Sequence, residues 1–160
     1  MFDLITYPND ILKQKTKDVK KVDKDIRKIV NEMKKIMKRN NGVGLAANQI
    51  GLDISIFIAE SGNKILTFIN PKILKFEGEK VLLEEGCLSL PNIWGKIKRY
   101  PKVEVEYLDL FGKKKKIKAQ GFLAQIIQHE IDHLNGILFA EKAEKLYKIE
   151  EIDKQEALNK

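Results

Sequence analysis

Cysteine is almost absent from this chain. Its 160 residues include one, Cys87, so no intramolecular disulfide can form and the fold must hold by packing. Histidine is nearly as scarce, with only His129 and His133. Aromatic residues make up 8%, so the core is expected to rest on Ile, Leu and Val. The longest apolar runs, such as the one at 54–59, fall far short of the ~20 residues a membrane span needs. The opening MFDLITYPND lacks the basic stretch and apolar segment of a secretory signal. A cytoplasmic protein is expected, ahead of an organellar one, because no transit segment is visible either.

Low-complexity stretches, internal repeats and Gly/Ser/Pro linkers are also missing, so residues 1–160 read as one domain, long enough to bury its own core. The charge is basic, with 30 Lys+Arg against 23 Asp+Glu, net +7. The plain reading is solubility. The sharper one is affinity for RNA or the ribosome surface. The densest run, Lys113–Lys116, follows Phe111-Gly112 at an expected hairpin tip, where charge usually faces water.

Periodicity supplies the elements. A short helix is expected over 8–16. Ile26, Ile29, Val30, Met33, Ile36 and Met37 recur at helical spacing between a capping Asp23 and the stop at Asn40-Asn41-Gly42. Strands are expected at 54–59, 64–69, 72–77, 80–85 and 102–108, the last returning through Asp109–Gly112 to 113–119. A second helix runs from Gly121 to Asn135-Gly136. The charged tail, 141–160, reads as a frayed helix. Strands followed by an apolar helix point to an α+β fold, with antiparallel or mixed sheets packed around a central buried helix.

That helix carries Gln128-His129-Glu130-Ile131-Asp132-His133. Histidines four apart share a helix face and can bring two imidazoles to one metal, and the intervening Glu can act as general base. The plain alternative is a chance pairing on a polar face. Against it, the helix is rich in Ile and Leu, and burying two His and a Glu without partners is costly. A catalytic site needs a third ligand. Two sources stay open: a tail glutamate (Glu141, Glu144, Glu150 or Glu151), or Cys87 in Glu85-Gly86-Cys87-Leu88-Ser89, where a thiolate would ligate and Gly86 would let the backbone come close. A third segment, Gly42-Val43-Gly44-Leu45-Ala46-Ala47-Asn48-Gln49, suits a loop pressed against a ligand. It is a poor phosphate loop, having no Lys-Ser/Thr after it and no strand before it. It could also be only a helix-ending turn with tight Ala packing.

GVGLAANQ, EGCLS and HEIDH, in this order, resemble the three signature motifs of the peptide deformylases, and the similarity runs from Tyr7-Pro8 to Asn135-Gly136. The resemblance implies a hydrolase that removes the formyl group from N-formylmethionyl nascent peptides. It implies one divalent metal held by Cys87, His129 and His133, Fe(II) in the cell, with Zn, Ni or Co in its place in purified samples. Glu130 would move the proton. The Gln49 side chain and the Leu88 N–H would stabilise the oxyanion, and the Gly44 backbone would pair with the peptide. Gly86 would stand beside the substrate, and Val43, Leu90, Phe122, Gln125 and Ile126 would form the methionine pocket. Glu85 would pair with Arg99 rather than sit as a solvated strand carboxylate. Two departures stand out. Gln125 replaces an apolar residue, and Pro91-Asn92-Ile93-Trp94 replaces the usual segment after the cysteine, with Trp94 either lining the cleft or covering the core. Some relatives reach the ribosome through a longer C-terminal helix than this chain carries. Two rivals remain: an HExxH zinc metallopeptidase, with no use for GVGLAANQ, and a non-catalytic basic ribosome- or RNA-binding relative, which should show damage at Glu130, Gln49 or a ligand.

Overall fold

A computed structural model describes residues 2–149. The first helix, α1 (Lys24–Arg39), forms where the sequence places it. Asp23 accepts a hydrogen bond from the Ile26 N–H at 3.0 Å, and Val30, Met33, Ile36 and Met37 are buried along one stripe. Its end is closed by Asn40, whose amide donates to the Ile36 carbonyl at 2.8 Å. The chain then enters β1 (Gly44–Ala46), one 3₁₀ turn (Ala47–Ile50), β2 (Ile56–Ser61) and β3 (Lys64–Glu77).

With β6 (Lys102–Leu108) and β7 (Lys114–Gln120), these strands form a five-stranded antiparallel sheet in the order β1-β2-β3-β6-β7. Both faces of β2 are covered. Ile56 and Ile58 pack with α1, while Phe57 and Ala59 pack with α2 (Gly121–Leu134). This explains why β2 opens on four consecutive apolar residues, Ile56 to Ala59, rather than on an alternating pattern. The second sheet has three strands: β4 (Val81–Cys87), β5 (Leu90–Arg99) and β8 (Lys145–Lys148), in the order β4-β5-β8. Two residues, Leu88 and Ser89, turn β4 into β5, where Cys87 pairs with Leu90. The fold is therefore α+β, and α2 is its buried helix. No helix among the described residues is long and apolar enough to cross a membrane.

Several elements differ from expectation. Residues 8–16 yield only a 3₁₀ turn, Asp10–Lys13. The strands expected at 64–69 and 72–77 are one strand, β3, interrupted by a register shift where Asn70 takes a positive φ of 50° before Pro71. The hydrophobic pattern breaks there, but pairing with β6 resumes at Lys72 after the shift, so the strand continues. The start of the tail is not a frayed helix. A one-turn α3 (Phe139–Lys142) is followed by β8, which pairs with β5 and so becomes a sheet edge. The rest of the tail, 150–160, lies outside the described residues. β5 was not anticipated at all.

Candidate active site

Ten of the fourteen residues of α2 are buried, and six of them are polar: Gln125, Gln128, His129, Glu130, Asp132 and His133. Each polar group must find a partner or cost stability. Gln128 clamps Tyr100, its Nε2 donating to the Tyr100 carbonyl at 2.8 Å and its Oε1 accepting from the Tyr100 N–H at 3.0 Å. His129 Nδ1 lies 2.7 Å from Glu85 Oε1. A carboxylate can only accept, so Nδ1 carries a proton and Nε2 is the ring nitrogen turned the other way. There it meets His133 Nε2 at 3.2 Å, which in turn lies 3.2 Å from Cys87 Sγ.

These ligand atoms all fall within 4.8 Å of one another. A tetrahedral centre with ~2.0–2.3 Å bonds has edges of roughly 3.3–3.8 Å; two of the three separations, both 3.2 Å, lie close to that, so the set can gather on one divalent ion. A sulfur and two ring nitrogens gathered this closely are the atom types that a shared divalent cation takes. Glu141 and Glu144 are elsewhere, paired with Lys13 and Lys98. Glu150 and Glu151 lie outside the described residues.

Charge around the cluster is arranged in a chain. Glu85 is 5% exposed, so it is no solvated carboxylate. Arg99 grips it through two bonds, Nε to Oε2 at 2.8 Å and Nη2 to Oε1 at 2.9 Å, and reaches Asp132 at 2.7 Å with Nη1. Asp132 also accepts from Lys142 at 2.9 Å. Burial raises the pKa of Glu85, yet the bonds from Arg99 and His129 outweigh it and hold the carboxyl down at about 2. Glu130 is the reverse. Burial dominates and pushes it up to about 7, with His129 pulling down and Glu85 pushing up. One Glu130 oxygen, Oε1, is buried without a hydrogen-bond partner. Arg99→Ala would take from buried Glu85 its two-bond cation and leave Asp132 with Lys142 alone, and is expected to cost about 3–5 kcal/mol of stability. Denaturant melts would measure it, and a loss below about 1 kcal/mol would contradict the pairing described.

Above the cluster lies a cleft of about 700 Å³. Val43, Gly44, Gln49, Gly86, Cys87, Leu88, Leu90, Phe122, Gln125, Ile126 and Glu130 all line it. Val43 and Phe122 are 37% and 60% exposed, so they are cleft walls rather than core, whereas Leu90 and Ile126 are buried. Trp94 lines the rim and also covers Gly86, where a Cβ would come within 2.9 Å of the indole. Gly44 faces Glu130 directly: a Cβ there would sit 2.5 Å from Glu130 Oε2. Gly44→Ala is therefore expected to displace the carboxylate and cut kcat at least about 10²-fold, the typical effect of an ångström-scale misplacement. Near-normal turnover would show that Glu130 needs no fixed place.

Gln125 does not offer a free amide to the cleft. Its Nε2 donates to the Glu84 carbonyl at 2.9 Å and approaches Glu85 Oε2 at 3.3 Å. A polar residue is tolerated there because it is tied back to β4. Sequence reasoning missed Asn48, Ser89, Asp132 and Lys142. Asn48 is fully buried, and its amide donates to the His133 carbonyl at 2.6 Å, joining the glycine-rich segment to α2. Asn48, Ser89 and Asp132 stand inside the quoted motifs, which was the available signal; Lys142 had none.

A family model described as polypeptide deformylase matches residues 1–148. The peptide deformylase of Desulforudis audaxviator is 40% identical over 152 residues, covering 94% of this chain and 99% of that protein. That of Syntrophomonas wolfei is 44% identical over 143 residues, covering 89% and 93%. Among solved structures, a Synechococcus elongatus peptide deformylase in complex with actinonin superposes with a TM-score of 0.88 at 35% identity, covering 99% of this chain and 84% of that one. A Met-Ala-Ser-bound class I type b peptide deformylase from Acinetobacter baumannii gives 0.84 at 36% identity, covering 88% and 98%. This chain belongs to the polypeptide deformylase family.

Proposed function

We propose that this chain removes the N-formyl group from the N-terminal formylmethionine of newly made proteins, releasing formate and a free amine. The observation that carries the reading is the convergence of Gln49 and Glu130 on the Cys87–His129–His133 cluster at the floor of one cleft. A purely structural metal site has no use for either residue. Cys87, His129 and His133 would hold a single divalent ion, Fe(II) in the cell; their mixed thiolate and imidazole set also accepts Zn, Ni or Co. Such an ion, when bound, activates water near neutral pH and polarises the carbonyl of the amide to be cut.

The chain's own groups do the rest. Glu130 takes the proton from the attacking water and hands it to the departing amine as the formyl C–N bond breaks. A carboxyl held near neutrality by burial suits both halves of that task. As the formyl carbon becomes tetrahedral, its oxygen gains negative charge and is met by the Gln49 amide and the Leu88 backbone N–H. The Gly44 backbone pairs with the peptide as one strand with another. Val43, Leu90, Phe122, Ile126 and the stem of Gln125 take the methionine side chain.

Protein purified anaerobically and loaded with Fe(II) or Ni(II) is expected to release formate from formyl-Met-Ala-Ser. Activity should vanish on chelation and return when metal is restored. Absence of formate from folded, metal-loaded protein would overturn the reading.

A further inference from the structure

Gln49 can serve as an oxyanion donor only if its amide presents nitrogen, not oxygen, to the cleft, and only if that nitrogen stays in place. The side chain is 2% exposed, and three neighbours decide its orientation. The Ala46 N–H can only donate, and it does so to Gln49 Oε1 at 2.9 Å. On the other side, Gln49 Nε2 lies 3.1 Å from Ser89 Oγ. The Ser89 hydroxyl has one proton, directed at the Ile5 carbonyl at 2.7 Å, an acceptor that cannot give it back. Ser89 must therefore accept from Gln49, which again requires nitrogen on that side. The two demands agree. One hydrogen of Nε2 is used on Ser89, and the other points into the cluster, donating to Cys87 Sγ at 3.6 Å.

Ser89 is fully buried, and the chain on either side of this contact is stapled. The Ile5 N–H donates to the Gln49 carbonyl at 2.7 Å, and the Tyr7 N–H donates to the Ser89 carbonyl at 2.8 Å. The amino-terminal segment thus grips the 3₁₀ turn that carries Gln49 and the β4–β5 turn that carries Ser89, and it holds the two at one spacing. We propose that Ser89 is a positioning residue which, clamped by Ile5 and Tyr7, aims the Gln49 amide at the oxygen that becomes charged in the reaction. The proposal rests on the deformylase reading above.

A double-mutant cycle tests it. Wild type, Ser89→Ala, Gln49→Ala and the double variant are loaded with Ni(II), and their formate release from formyl-Met-Ala-Ser is followed. Ser89→Ala is expected to lower kcat about 10- to 100-fold, with KM and bound metal little changed. In the Gln49→Ala background the same change should matter by no more than about twofold, because nothing is left to aim. An equal loss in both backgrounds would make Ser89 merely structural and overturn the proposal. A Ser89→Thr and Ser89→Val pair controls for folding, since both add similar bulk and only Thr keeps the hydroxyl. Thr should exceed Val in kcat by about tenfold; equality would overturn the proposal even if Ser89→Ala does not fold. A folded, metal-loaded wild type that releases no formate would bring down the deformylase reading itself, and this proposal with it.

Discussion

Replacing Glu130 with glutamine is expected to lower kcat/KM for a formylated peptide by roughly 10²–10⁴-fold, the usual worth of a positioned acid–base group. Bound metal should remain stoichiometric, because Cys87, His129 and His133 are untouched. Stability should move the other way. Glu130 is 3% exposed, burial pushes its carboxyl up to about 7, and Oε1 has no hydrogen-bond partner. A fold does not choose that arrangement for strength, and a neutral amide of the same shape relieves it. The melting midpoint of Glu130→Gln should therefore equal or exceed that of wild type. Turnover within tenfold of wild type would remove Glu130 from the chemistry. A large loss of stability would mean that its charge serves the fold.

Cys87→Ala should lose the metal. Two imidazoles remain, but the sulfur 3.2 Å from His133 Nε2 is gone. The fall in metal affinity should exceed the roughly 10–100-fold that loss of an outer hydrogen-bonding partner typically costs. Activity should fall with metal content and not return at saturating substrate. Metal analysis after dialysis, on a variant confirmed folded by circular dichroism, measures this directly. A metallopeptidase taking its third ligand from beyond the helix would keep its metal in the same variant. Retention of one tight equivalent would thus contradict the ligand set and favour that rival.

Helix α1 and the sequence pattern agree because α1 has one apolar stripe and polar residues around the rest, which is what periodicity detects. In α2, the apolar residues and the histidine pair pointed to the same buried helix. β5 escaped because its inward positions include Gly95 and Arg99 beside Ile97, while Pro91 and Gly95 read as breaks. An inward arginine looks like an outward one until its partners are known. Arg99 is 3% exposed because Glu85 and Asp132, from two other elements, meet it in space. The same limit hid Ser89. Its hydroxyl gains meaning only when Ile5, 84 residues away, supplies the carbonyl that takes its proton. The tail misled for a different reason. Its charge suits a frayed helix as well as an edge strand, and only pairing with β5 decides between them.

The most direct measurement is which bond of formyl-Met-Ala-Ser is cut, read by mass spectrometry after incubation with anaerobically prepared, metal-loaded protein. The account predicts formate and intact Met-Ala-Ser, formed roughly 10²–10⁴-fold more slowly by Glu130→Gln under the same conditions. Cleavage at a peptide bond with the formyl group retained, or an unchanged peptide from folded and loaded protein, would contradict it.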